Sequence, residues 1–242
     1  PTVFEFGTSE QQAHILPRMA GAQDLWCQGW SEPNAGSDLA SLTSKAIRDD
    51  ERGGWVLDGQ KTWTTRGAFC THLFGLFRTD PDSQRHKGLT YLLVPLDLDG
   101  ITVRGFGRLD GDEGFAEVFF DGAFLPDDAI EGGVVLGGVG EGWSVAMATT
   151  SSERGLTLRA PGRFTATADR LVDLYRDRPD PGLRDRVVQG WMEAEAYRLQ
   201  TLQTVTDDAE GRSAGAASSF VKLWWSELDV NLHETALDLL GA

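Results

Sequence analysis

The sequence predicts an α+β chain: an antiparallel β-barrel or sandwich domain followed by an up-down helical bundle domain, with a remnant of an N-terminal helical domain in front. Two observations carry this reading. Between about residues 23 and 136, short runs rich in Val, Phe, Trp, Leu and Thr recur between turn-forming residues, as the strands of a many-stranded sheet do. After Gly142 the apolar spacing lengthens to a helical period and keeps it to the end. The implied divisions are 1–22 for the end of the helical domain, 23–138 for the β domain and 139–242 for an incomplete helical domain.

Each element has a local cause. Residues 8–20 (TSEQQAHILPRMA) predict a helix capped by Thr8 or Ser9, with Ala13, Ile15, Leu16 and Met19 sharing a face. This piece is too short to fold alone. Strands are expected at 42–49, 54–65, 72–79, 89–96, 100–106 and 116–125, broken by turn formers such as DDERGG at 49–54. A first long helix starts near Trp143, and Pro161-Gly162 must kink or interrupt it. Helical patterns then cover 164–177, 183–210 and 218–241, with PDPG at 179–182 as a break.

Composition narrows the function. The 242 residues hold 37 acidic and 22 basic side chains, a net charge of −15. A diffuse negative surface argues against nucleic acid and anionic membranes as partners. No window of 18 consecutive apolar residues and no secretory signal pattern is present. Cys27 and Cys70 lack metal or redox spacing and read as reduced core thiols of a cytoplasmic protein. The four histidines are scattered without metal-ligand spacing, so no metal is expected. The Gly-rich stretch 132–142 lacks the strand–GxGxxG–helix order and reads as a loop between domains, not a phosphate cradle. Trp224 and Trp225 read as packing or an oligomer contact. The two ends look like cuts through a longer protein.

Three stretches carry chemistry. In QGWSEPNAGSD (28–38), Asn34 and Gly36 allow a sharp turn that presents backbone N–H groups and short hydroxyls to a polar ligand. In GQKTWTTRG (59–67), Trp63 and Thr65 fall on one face of a strand, so an indole can cover a ring while a hydroxyl reaches its edge. In GEGWSVAMATTSSERG (140–155), Glu153 shares a helix face with the small residues Ala146 and Thr149, and no other carboxylate lies between Glu141 and Asp169. The structural alternative for Glu153 is an ion pair with Arg154 or Arg163.

In their order and content these three stretches resemble the acyl-CoA dehydrogenase flavoproteins. The resemblance implies FAD as cofactor and α,β-dehydrogenation of an acyl-CoA thioester to the enoyl-CoA, with electrons passed to an electron-transferring flavoprotein. A non-catalytic flavin- and acyl-CoA-binding subunit of a heteromer, or a flavin-dependent oxidase on the same fold, are the alternatives. It implies that Gln28, Gly29, Trp30, Ser31, Gly36, Ser37, Trp63, Thr64 and Thr65 contact the flavin, and that Ser37 also touches acyl-CoA. Glu153 takes the place of a catalytic base in part of the family; Ser151 and Arg154 match substrate-binding positions. The segment ALDLLGA (236–242) resembles one that touches the neighbouring subunit's FAD, through Asp238, Leu240 and Gly241, in a homo- or heterotetramer built as a dimer of dimers. Two departures stand out. Arg66 replaces the usual Ser or Asn, and 175–186 lacks the Arg-x-x-Phe-Gly stretch that reaches the neighbour's FAD in many relatives.

Overall fold

The computed structural model describes residues 1–153, 160–212 and 217–241. Backbone contacts divide the chain into two compact units, Pro1–Thr149 and Thr150–Ala242.

The first unit opens with helices α1 (Thr2–Phe6) and α2 (Ser9–Ala20). Thr8 caps α2 in a reciprocal box with Gln11, which satisfies two otherwise orphan amides. The helix docks differently from its apolar pattern. Gln11 and Ile15 are buried, while Ala13 and Met19 are exposed. The Gln11 amide donates to the carbonyls of Gly133 (2.8 Å) and Val135 (2.9 Å), so a polar pin replaces part of the expected apolar face.

Seven strands follow: β1 (Trp26–Gly29), β2 (Lys45–Asp49), β3 (Gly54–Thr65), β4 (His72–Arg78), β5 (Leu89–Pro95), β6 (Ile101–Phe106) and β7 (Phe115–Pro126). They form one curled sheet in the order β1-β4-β2-β3-β7-β6, with β5 also paired to β4. The pairings are antiparallel except where β1 runs parallel to β4, Trp26 opposite His72 through Gly29 opposite Gly75, and at a single parallel β2–β4 link. Alternating burial along β3 and β7 directs Leu57, Val118 and Leu125 inward, where they meet Leu73, Leu76, Phe77 and Leu92. Part of the Gly-rich stretch belongs to this unit. Leu93 donates to the Val134 carbonyl (2.8 Å) and Leu136 to that of Tyr91 (3.0 Å), so it lines β5 before the chain enters α3 (Gly142–Glu153).

The second unit holds α4 (Pro161–Asp177), α5 (Arg184–Ala209) and α6 (Ala217–Leu240). Pro161 sits in the first turn of α4, where its missing N–H costs nothing, so the proline starts a helix. Each helix packs on the other two around Phe164, Leu171, Val187, Tyr197, Leu228 and Leu232. At Gly190 a Cβ would lie 2.8 Å from Leu232 Cδ2, so glycine sets the approach of α5 to α6. Trp224 and Trp225, partly buried, pack against this core beside Tyr197 and Phe164.

Candidate functional site

The site of the first unit is built where β1 ends and β3 ends. Parallel pairing to β4 carries β1 inward to Gly29, where a Cβ would come 2.5 Å from Leu73 Cδ1, so a larger residue would displace the buried Leu73 side chain. Trp30 follows, buried, its ring edge-on to Tyr91 at 6.2 Å. Beyond Ser31 the chain folds into a tight turn, with Glu32 and Ala35 exchanging both backbone hydrogen bonds (2.9 and 3.1 Å). Gly36 and Ser37 are exposed, and a Cβ on Gly36 would meet nothing within 4 Å. This leaves the tip of the loop open to a ligand.

The loop is fastened to β3 from below. The Thr62 amide donates to the Ser31 carbonyl at 2.8 Å. Next to these two residues, after Ser31 and before Thr62, lies a buried ion pair, with Lys61 Nζ 2.8 Å from Glu32 Oε1. The Glu32 carboxylate also accepts the amides of Thr43 (2.7 Å) and Ser44 (2.8 Å) and the Thr43 hydroxyl (2.9 Å). Burial pushes the Glu32 carboxyl up, but Lys61 and these donors outweigh it and hold it at about 2. Burial lowers the Lys61 ammonium to about 8, with Glu32 opposing that fall, so both groups are ionised at neutral pH. Neither Glu32 nor Lys61 stood out in the sequence. Lys61 had one legible signal: it occupies an inward position of β3, in step with Trp55 and Leu57.

A bulge then turns β3 over. Lys61 pairs with Val118 and Thr64 with Ala116, so Thr62 and Trp63 together face the single residue Glu117. The inward parity of 55, 57 and 61 shifts to 64. Trp63 has φ 55°, a left-handed conformation rare for a bulky residue and found where surrounding structure enforces it. Its ring is 60% exposed and stands against the edges of Phe106 (5.2 Å) and Phe115 (5.5 Å). Trp63 and Thr65 do share the outer face, as the alternation predicts, but the bulge makes that face the outer one. Thr64 is buried between them, with its hydroxyl unpartnered, so it does not present its side chain as Trp63 and Thr65 do. Arg66, also left-handed at φ 58°, ends the strand with its guanidinium 3.3 Å from Asp112.

These features fit a planar ring with polar edges: an open indole face, the Thr65 hydroxyl, the half-buried Gln28 and Ser31, and the exposed loop at Gly36–Ser37. Trp30 Nε1 and Thr64 Oγ1, one in each segment, are buried without a partner.

Of the remaining predicted residues, Ala146 is fully buried in the sheet unit's core. Thr149 hydrogen-bonds to Thr2 (3.0 Å) and lines an apolar pocket of about 140 Å³ with Trp26, Phe74, Tyr91 and Leu136. Ser151 is exposed on α3. The Glu153 backbone closes that helix, but its side chain and all of Arg154 lie outside the described residues. Arg163, one proposed partner of Glu153, is 3.1 Å from Asp229. Asp238 pairs with Arg186 at 2.5 Å, Leu240 is half exposed, and Gly241 at φ 77° ends α6. Among the described residues no His, Cys, Asp and Glu cluster could hold a metal. Cys27 and Cys70 are free, and burial pushes both thiols up, away from reactive thiolate.

A curled half-barrel followed by helices, with two segments locked together beneath an exposed tryptophan, defines an α+β class. Comparison with known families says which. The family model of the acyl-CoA dehydrogenase middle domain matches residues 27–123, and that of the C-terminal domain matches 140–242. The chain belongs to the acyl-CoA dehydrogenase family, a family of FAD-dependent oxidoreductases.

It is 41% identical over 253 residues to acyl-CoA dehydrogenase IpdE1 of Mycolicibacterium smegmatis, an alignment covering 100% of this chain and 62% of that protein. It is 40% identical over 227 residues to acyl-CoA dehydrogenase FadE34 of Mycobacterium tuberculosis, covering 92% of this chain and 30% of that one. Among solved structures it superposes on the Tcur3481-Tcur3483 steroid ACAD with a TM-score of 0.87 at 28% identity, covering 100% of this chain and 62% of that chain. The chain thus spans under two thirds of the length of these relatives.

Proposed function

We propose that the whole protein is an FAD-dependent acyl-CoA dehydrogenase that converts an acyl-CoA thioester to the enoyl-CoA and passes electrons to an electron-transferring flavoprotein. The observation that carries this reading is the locking of loop 28–38 to the bulged end of β3, which leaves Trp63, Thr65 and Ser37 on open surface. Gln28, Ser31, Ser37, Trp63 and Thr65 would hold the flavin, with Gly29, Trp30 and Thr64 supporting them from inside. FAD, when bound, supplies the acceptor for the hydride that leaves C3. Glu153 removes the C2 proton; as the sole carboxylate between Glu141 and Asp169 it is the base this helix can offer. An apolar surround would keep its carboxylate basic enough for a weakly acidic C–H. Arg154 and Ser151 would meet the CoA portion, the guanidinium suiting phosphate.

A steroid acyl-CoA dehydrogenase among the structural neighbours supports a bulky alicyclic acyl group as the first substrate class to test. Leu223, Val230 and Leu237 repeat every seven residues along α6, all about half exposed beside Phe220. That stripe supports assembly into a dimer of dimers, homomeric or with a paralogue, to which Asp238, Leu240 and Gly241 would contribute. Two free cysteines support a reducing, cytoplasmic compartment.

A non-catalytic subunit is the second reading. It is favoured by the missing Arg-x-x-Phe-Gly stretch and by the engagement of Asp238 with Arg186. Anaerobic mixing of the full-length, FAD-loaded protein with alicyclic and straight-chain acyl-CoA thioesters decides between them. Bleaching of the flavin absorbance supports the dehydrogenase. Bound flavin that no thioester bleaches favours the non-catalytic subunit, rapid reoxidation by oxygen favours an oxidase, and a protein that takes up no FAD sinks all three.

A further inference from the structure

We propose that Lys61 and Glu32 are positioning residues: a buried ion pair that fixes the register between loop 28–38 and the end of β3, and so the shape of the flavin platform. The inference rests on the flavin reading above and adds to it the device that holds the platform together.

The pair is complete in its hydrogen bonding. An ammonium has three donors, and Lys61 Nζ meets three oxygens: Glu32 Oε1 at 2.8 Å, the Leu76 carbonyl at 2.7 Å and the Trp30 carbonyl at 3.4 Å. On the other side, Glu32 Oε1 accepts Lys61 and the Ser44 amide, and Oε2 accepts the amide and hydroxyl of Thr43. Four chain segments are joined through two side chains: the start of the loop, the approach to β2, β3 and β4. Lys61 is fully buried and Glu32 nearly so, at 0% and 5% side-chain exposure.

Stability alone does not account for such a pair. Taking two charges out of water is costly, and well-packed apolar residues of the same volume serve as well or better for stability. Directional bonds add something apolar contacts lack: they permit one arrangement of the joined segments. The location gives that property a use. Glu32 directly follows Ser31, and Lys61 directly precedes the bulged pair Thr62 and Trp63. A shift of either segment would move Ser31 and Trp63 relative to each other.

The test uses the full-length protein with Lys61→Met, Glu32→Gln, the double variant Glu32→Gln/Lys61→Met, and Thr43→Val. Thr43 is exposed, so that last variant loosens the hub without stranding a charge. Leu125→Ala, in the core opposite Trp55 and away from the platform, is the control for plain destabilisation. Each variant is read by melting temperature, by FAD dissociation constant under conditions where it is folded, and by amide exchange across residues 31–44. The expected result is FAD affinity weakened about tenfold or more in the folded charge variants and about twofold to threefold in Thr43→Val, with faster exchange across 31–44. Leu125→Ala should melt earlier yet bind FAD within about twofold of the parent. Unchanged FAD affinity in Thr43→Val and in every charge variant that folds overturns the proposal and leaves the flavin reading standing. A parent protein that binds no FAD overturns both.

Discussion

The sheet unit and the helical unit differ in the charged groups they bury. In the sheet unit, Lys61, Glu32, Gln11 and Asp24 are buried and each has partners from distant segments or a facing guanidinium. In the helical unit, ion pairs such as Arg163–Asp229 and Arg186–Asp238 lie at the surface, while Leu199, Leu202, Phe220, Leu223, Val230 and Leu237 are about half exposed or more. The first pattern closes a unit on itself and fixes a geometry. The second leaves apolar area for another surface to cover. On the proposed function, the first unit would serve as a platform and the second would supply the base and the assembly contacts.

That division is sharpest at Glu153. If the helical side supplies the base, Glu153→Gln should slow flavin reduction by about 10²–10⁴-fold while FAD and acyl-CoA still bind. Rapid-mixing measurement of flavin bleaching in the full-length protein reads it. A rate within about threefold of the parent would return Glu153 to a structural role and place the base elsewhere.

Core truncation separates the units next. Leu125 is fully buried in the sheet, so Leu125→Ala should cost about 2–5 kcal/mol of stability. Leu237 is 52% exposed; Leu237→Ala should change unfolding of the isolated chain by only about 0.5 kcal/mol but weaken assembly, seen by sedimentation. Equal losses of stability would erase the contrast between a closed core and a waiting surface.

Acid provides a third separation. The folded pKa of Glu32 is lowered, to about 2, against an unfolded value of about 4.3. Its contribution to stability is therefore fully present above the unfolded value and is lost as pH falls from there toward 2. Glu32→Gln should flatten the denaturant midpoint between about pH 4.5 and 2.5. A parent and a variant with parallel acid profiles would show that the pair contributes nothing linked to protons.

Much of this architecture was legible in the sequence, and the exceptions share a cause. The strand at 54–65 matches β3 residue for residue, because its apolar alternation and flanking turn formers are local signals. The parallel pairing of β1 with β4 was not legible, since it depends on where the chain returns and not on its composition. Trp63 and Thr65 could be assigned to a common face, whereas the bulge that turns this face outward could not, being a property of the mismatch with β7. Gln11 and Lys61 were hidden for a similar reason. A polar residue at an inward position discloses its role only once the partners that satisfy it, brought from 15 to 124 positions away, are known. Glu153, by contrast, stands out in sequence by isolation, as the sole carboxylate of its stretch.

A small, salt-sensitive effect lies at the surface of the helical unit. Arg163 Nη2 is 3.1 Å from Asp229 Oδ2, with side-chain exposures of 52% and 27%. Both groups keep much of their hydration, so the Coulomb gain is small, and holding two side chains in one geometry costs rotamer freedom. Measured values for such pairs run from about 0.2 to 1 kcal/mol. Arg163 also stands 5.9 Å over the Phe164 ring, an exposed cation–π contact of about 0.5–1 kcal/mol. The two share one guanidinium, so Arg163→Gln should cost about 1 kcal/mol in all, and salt should mask much of it. Breaking Lys61–Glu32 by Lys61→Met should instead cost about 3–5 kcal/mol, nearly independent of salt, because it strands a buried carboxylate. Urea midpoints at low and high salt give both numbers. If Arg163→Gln proved as costly as Lys61→Met and as insensitive to salt, the Arg163 pair would be buried in the working protein. The surface around α4 and α6 would then be covered by something that binds there.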